Sequence, residues 1–122
     1  MRPLDMYPDS FGAHRGSVFP HAGPVSYDPV VEESPANLPL AGGDTVEAVE
    51  AGLKLFDWVS SVTADSGLFR VEAIPKSLSQ YQIGAATPTY ILRWVTVATN
   101  AEVAAGFDLS AEVVRLFALG PK

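Results

Sequence analysis

The sequence from Thr89 to Ala98 is TYILRWVTVA, and it carries the clearest strand signal of the chain. In a strand, alternate side chains point to opposite faces. Here both faces are apolar, with Tyr90, Leu92 and Trp94 on one face and Ile91, Val95 and Val97 on the other. A strand with two apolar faces is central in its sheet or lies under a subunit contact. For the second case we predict an oligomer interface made by Tyr90, Leu92, Arg93 and Trp94.

Three further segments have the alternation or the composition of strands. Residues 68–74 alternate, with Phe69, Val71 and Ala73 on one face and Arg70 and Glu72 on the other. Residues 53–62 (LKLFDWVSSV) and 113–119 (VVRLFAL) are rich in β-branched and aromatic residues, which favour strands. We expect strands across residues 44–62 as well. The pattern predicts a mainly β fold, a small β-sandwich or jelly-roll-like barrel, over residues 42–122.

Two of these segments also fit helices. Asp44 and Glu47 have the spacing of a capping box, which marks the start of a helix. Gly52 counts against this helix, because glycine costs about 1 kcal/mol relative to alanine in a helix interior. Residues 110–119 are followed by Gly120-Pro121, a sequence at which helices commonly stop. The alternative fold is therefore α+β, with helices near residues 44–58 and 110–119.

The N-terminal third of the chain is rich in proline and yet contains many apolar residues. Seven of the ten prolines lie within residues 1–39, and proline disfavours helices and central strands. Disordered linkers, however, are usually poor in aromatic residues. We therefore predict that residues 1–41 form an extended arm, which lays side chains into pockets of its own domain or of a neighbour. The predicted partner-binding residues of this arm are Tyr7, Phe11, Phe19, Tyr27, Val30 and Val31.

Charge and composition narrow the class of partner. The net charge is −6, and the eight lysines and arginines are scattered, so we expect no binding to nucleic acid. No basic amphipathic stretch and no long apolar run is present, so we expect no membrane contact. Apolar residues make up 48% of the chain and charged residues only 18%, which favours a surface partly hidden in an assembly. We expect a homo-oligomer.

Residues that could carry chemistry are few. The chain has no cysteine, which excludes disulfides and thiolate zinc sites. His14 and His21 lie in the arm, at a spacing that matches no standard metal site, and we interpret them as solvated or partner-contacting. Acids that could form a catalytic pair occupy positions that solvent-facing strands and turns explain: Asp57, Asp65, Glu72, Glu102 and Asp108. We therefore expect no catalytic residue, no metal site and no cofactor, and we expect a protein that is not an enzyme.

The C-terminal third resembles a known class of structural proteins. The sequences RWVTVATNAEVAAG (93–106) and DLSAEVVRLFALG (108–120), within residues 89–120, are similar to the C-terminal part of small accessory proteins of tailed-phage virions. The resemblance implies a capsid decoration (cement) protein, located in the virion and assembled in the host cytoplasm. Such a protein forms trimers or dimers and bridges subunits of the major capsid protein. The chain would do so through its arm.

Three other functions stay open at this point. The chain could be a different head or tail structural component. It could be a non-catalytic β-sandwich module that recognises carbohydrate or peptide, with Trp58 or Trp94 stacking on the ligand. It could also be a small enzyme whose site forms between subunits and takes His14 or His21 from a neighbouring chain.

Overall fold

A computed structural model describes residues 14–31, 40–61, 63–76 and 87–122. The described residues form seven strands and one short 3-10 helix, in the order β1 (His14–Ala22), β2 (Asp44–Glu47), the 3-10 helix (Ala48–Ala51), β3 (Trp58–Ser61), β4 (Phe69–Pro75), β5 (Thr89–Thr96), β6 (Ala101–Glu102) and β7 (Val113–Pro121). The fold is therefore mainly β, as predicted, and the α+β alternative is wrong.

Two antiparallel sheets enclose one core. The first sheet has the strand order β1-β7-β3, and the second has the order β2-β5-β4 with β6 also paired to β5. A single hydrophobic cluster takes side chains from both sheets, among them Trp94 from β5 and Leu116 from β7, which are both fully buried. This arrangement is that of a small β-sandwich, in which the inner face of each sheet packs on the other.

Strand β5 is central in its sheet, as its two apolar faces predicted. It pairs with β4 along one edge and with β2 and β6 along the other. Leu92 and Trp94 point into the core, and Ile91 and Val95 on the opposite face are also 0% exposed. Burying a large side chain of this kind contributes roughly 1.5–3 kcal/mol, so this strand stabilises the fold on both of its faces.

Residues 44–58, which also fitted a helix, contain strand β2, the 3-10 helix and the first residue of β3. Strand β2 is followed by a single turn of 3-10 helix, which ends at Gly52 with a φ of 76°. An L-residue seldom adopts this left-handed conformation, so the glycine stops the helix after one turn. Strand β7 likewise shows that residues 110–119 do not form a helix.

Residues 14–31, which were predicted as part of the arm, join the β domain. Strand β1 pairs with β7 along its whole length, from His14 opposite Pro121 to Ala22 opposite Val113. It is an edge strand, where proline is tolerated. The Gly23 amide donates to the Glu112 carbonyl oxygen. In an antiparallel pair only every second residue bonds to the neighbouring strand, so the backbone nitrogen of Pro20 points away from β7 and no hydrogen bond between the strands is lost. The division of the chain at residue 41 stays a prediction.

Tyr27 closes a gap at the edge of β5. Strands β2 and β6 pair with successive parts of this edge, and the Trp94 amide lies between them. The Trp94 amide donates to the Tyr27 hydroxyl at 3.1 Å, and this hydroxyl donates to Glu102 Oε2 at 2.8 Å. The Val30 amide donates to the same Glu102 oxygen at 2.6 Å. Tyr27 is 1% exposed, so its ring packs in the core while its hydroxyl accepts the hydrogen bond of a β5 amide that neither β2 nor β6 reaches.

We expect Tyr27→Phe to lower the free energy of unfolding by about 1–3 kcal/mol, because the buried Trp94 amide loses its acceptor. Denaturant unfolding measures this loss. Hydrogen exchange locates it: the Trp94 amide exchanges faster, whereas the Ala64 amide, which is bonded to Phe69 in another part of the fold, is protected as before. A variant as stable as the wild type would contradict the role given to the hydroxyl.

Candidate interaction surface

The outer face of the β1-β7-β3 sheet is almost entirely apolar. The register of the three strands places on this face eleven residues whose side chains the structure describes: Gly16, Val18, Pro20, Ala22, Trp58, Ser60, Val113, Arg115, Phe117, Leu119 and Pro121. Val18 is 67% exposed, Trp58 51% and Phe117 39%. Antiparallel sheets in sandwiches normally turn polar side chains to the solvent. We call this surface the apolar face.

The outer face of the second sheet differs, because the two apolar residues in the middle of β5 on this face are covered. Ile91 and Val95 are 0% exposed although they point away from the inter-sheet core. Phe117 on β7, the strand that lies central in the first sheet, is accessible. The contrast marks the apolar face as the open surface of the sandwich.

Two aromatic rings form the raised part of the apolar face. Trp58 on β3 and Phe117 on β7 meet edge to face, with ring centroids 6.3 Å apart and an interplanar angle of 68°. Beside them Gly16 has no side chain, and a Cβ there would lie 3.2 Å from the Phe117 ring. The Phe117 ring and the Leu119 side chain therefore occupy the space over Gly16.

The apolar face carries little charge. None of its eleven residues is acidic, although the chain contains 14 Asp and Glu residues. The arginine among these eleven residues, Arg115, is paired with Asp65 from the turn before β4. The positions facing solvent on this sheet are therefore close to neutral in a protein whose net charge is −6.

A second surface feature is a pocket of about 510 Å³ on the outer side of the β2-β5-β4 sheet. It is lined by Val30, Glu72, Ile74, Arg93 and Glu102, and we call it the charged pocket. Arg93 Nη1 donates to Glu72 at 2.7 Å, and its Nε lies 3.5 Å from Glu102. The Arg93 hydrogen bond lowers the pKa of Glu72, so this carboxyl is ionised at neutral pH and cannot act as a general acid. Arg93 is therefore paired with both carboxylates of the pocket.

His21 ties the edges of the two sheets together. Its Nε2 lies 2.9 Å from Asp44 Oδ2 on β2, and its Nδ1 lies 3.8 Å from Glu50 Oε2 in the 3-10 helix. The Trp94 indole donates to the same Asp44 oxygen at 3.4 Å. The side chain of His21 is 14% exposed, so its interpretation as a solvated residue is wrong, and its contact with a partner stays a prediction. The hydrogen bond to Asp44 raises the pKa of His21, against the effect of burial.

The residues predicted as an oligomer interface lie mostly inside this chain. Tyr90 is 6% exposed, and Leu92 and Trp94 are 0% exposed, so side chains of the same chain cover all three. Arg93 points into the charged pocket. The apolar face was not predicted, although β7 showed the same signal as β5: in VVRLFAL the apolar residues also occupy both faces.

The predicted arm residues have different positions. Tyr7 and Phe11 lie outside the described residues. Tyr27 is buried in the core, and Phe19 packs against the core from β1. Val30 lines the charged pocket. Val31 is 49% exposed, and its backbone pairs with Ala41.

The candidate acids do not converge on one site. Glu72 and Glu102 share the charged pocket, while Asp65 pairs with Arg115 and Asp108 accepts hydrogen bonds from Ser110. Across residues 14–31, 40–61, 63–76 and 87–122, no three side chains of the kind that bind metal ions form a group. Over the same ranges, no helix has the length and apolar character that a membrane crossing requires. Comparison with protein-family models, with curated proteins and with solved structures found no match.

The His21 cluster predicts a pH dependence of stability. The folded-state pKa of His21 is raised above 6.5, so its ion pair stabilises the fold fully below pH 6.5 and is lost as the pH rises through the folded-state pKa. We expect the free energy of unfolding to fall over this window in the wild type. His21→Gln keeps a donor for Asp44 but does not titrate, so its stability is expected to change less. Unfolding curves from about pH 5.5 to about pH 8.5 measure the difference, and parallel pH profiles of the two proteins would refute the assignment.

Proposed function

We propose that this chain is a structural assembly protein of the virion, of the capsid decoration type. The observation that carries the proposal is the apolar face, a solvent-side surface of a sandwich that has no acidic residue and exposes Val18, Trp58 and Phe117. Exposed apolar patches of this kind mark sites of protein–protein interaction. The resemblance of residues 89–120 to accessory proteins of tailed-phage virions supports the more specific assignment.

In this proposal, the two parts of the chain have separate tasks. The β domain associates through the apolar face and forms a homo-oligomer. The N-terminal arm predicted from the sequence binds neighbouring subunits of the major capsid protein, with Tyr7 and Phe11 as the anchoring side chains. Several such contacts on one lattice raise the total affinity.

A carbohydrate-binding module is a second candidate, and exposed Trp58 is the observation in its favour. Together with Phe117 it presents aromatic surface on which a sugar could stack. Trp94 is 0% exposed and cannot take this role. A change in tryptophan fluorescence on titration with soluble glycans would favour this candidate over an assembly protein, and its absence would count against it.

The proposed function is tested by sedimentation with empty shells of the major capsid protein. We expect the wild type to sediment with the shells and the variant Tyr7→Ser, Phe11→Ser to lose at least about tenfold in affinity, because it lacks both anchors. Val49→Ser is the matched control: Val49 is 75% exposed in the 3-10 helix, and this variant is expected to bind as the wild type does.

If the wild type does not bind the shells, the decoration proposal is wrong. If the wild type and the double variant bind equally, the arm has no part in the attachment. Val49 lies outside the hydrophobic core cluster, and circular dichroism checks that both variants are folded.

A further inference from the structure

The apolar face has the shape and charge to pack on a copy of itself. It is formed by three neighbouring strands, so it is a broad surface rather than a groove that would take one extended peptide. A surface that pairs with itself about a two-fold axis makes a closed dimer, because each copy presents the same residues to the other. A trimer would instead require two different complementary patches on every chain.

Charge favours a second copy over a protein of opposite charge. At a net charge of −6, two copies repel each other wherever acidic surfaces meet. The apolar face has no acidic residue, and its Arg115 is neutralised by Asp65. A basic partner would be drawn to the acidic surfaces and not to this one. Two copies can therefore approach through the apolar face without an electrostatic penalty.

The size of the face agrees with a reversible dimer. Strands β1 and β7 have nine residues and β3 has four, so the patch is roughly 30 Å long, about 10 Å wide where only β1 and β7 lie and about 14 Å wide where β3 is added. Contact between two such patches, with their side chains interdigitated, buries roughly 1,000 Å² in total, near the lower limit for a specific interface. We therefore expect a dissociation constant on the order of micromolar rather than a permanent dimer.

We propose that two copies of this chain pack the outer faces of their β1-β7-β3 sheets against each other about a two-fold axis that runs along β7. This inference deepens the proposed function, since it names the occupant of the apolar face. The axis follows from the strand order, in which β7 lies between β1 and β3. Rotation about β7 places β3 of one copy over β1 of the other, so Trp58 lies over Gly16, which has no side chain, and Val18 faces Ser60.

In the two-fold arrangement, the residues of the central strand β7 that lie on the apolar face meet the same residues of the other copy. Phe117 lies on the axis and meets its own copy, which forms an aromatic contact at the middle of the interface. Arg115 lies near one end of β7, where Asp65 holds its guanidinium, so the two arginines that approach across the axis are both neutralised.

The mass in solution, measured by light scattering at about 1–100 μM, tests the dimer. We expect the mass to rise with concentration from 13.0 kDa to twice that value. Val18→Glu places an unpaired carboxylate on each side of the interface and is expected to weaken the dimer on the order of a hundredfold, leaving a monomer. Val49→Glu adds the same charge at an exposed valine outside the face and is expected to leave the dimer intact.

A disulfide cross-link tests the arrangement. In one chain, Val18 and Ser60 lie on opposite sides of β7, so they are roughly 10 Å apart and cannot be bridged. In the proposed dimer, Val18→Cys and Ser60→Cys face each other across the interface. The chain has no other cysteine, so mild oxidation of this double variant is expected to give a covalent dimer. Val49→Cys with Ser60→Cys is the control and is expected not to cross-link.

The outcomes separate this inference from the proposed function. A wild type that is monomeric at about 100 μM overturns the dimer, even if it binds shells. A dimer that Val18→Glu and Val49→Glu weaken equally, or that the Val18–Ser60 cysteine pair does not cross-link, overturns the face or the arrangement. A dimer with the expected behaviour that never binds shells supports the interface and contradicts the virion assignment.

Discussion

The proposed function depends on the exposure of three apolar side chains to water, those of Val18, Trp58 and Phe117. Covering apolar surface is favourable by about 25 cal/mol per Å², and nothing in the described part of the chain covers these three residues fully. The opposite sheet shows the alternative, since its outward-facing Ile91 and Val95 are completely buried. A sandwich with one covered and one open apolar face is suited to association through the open one.

The core and the interaction surface are built from the same strands. Strand β7 sends Leu116 into the core and Phe117 to the apolar face, so one strand serves folding and association together. Strand β1 is held by its pairing with β7, by His21 bonded to Asp44, and by Tyr27, which lies five residues after its last residue. The apolar face is therefore a rigid surface, which lowers the entropy cost of binding.

Local pattern was enough to predict much of the fold. The alternation in residues 89–98 predicted a central strand, because a side chain's face depends only on its position in the strand. The contacts His21–Asp44 and Tyr27–Glu102 were not predictable, since they join residues 23 and 75 positions apart and depend on the register of several strands. The apolar face was missed for the same reason: Val18, Trp58 and Phe117 become neighbours only once β1 and β3 pair with β7.

Acrylamide quenching of tryptophan fluorescence, measured as a function of protein concentration, tests the central claim most directly. Trp94 is enclosed in the core, so the quenchable emission comes from Trp58, which is half exposed on the apolar face. If the face is covered on association, the quenching constant falls as the protein concentration rises from about 1 to about 100 μM, and Val18→Glu abolishes the fall. Quenching that is independent of concentration, in a protein shown to self-associate, would contradict the account.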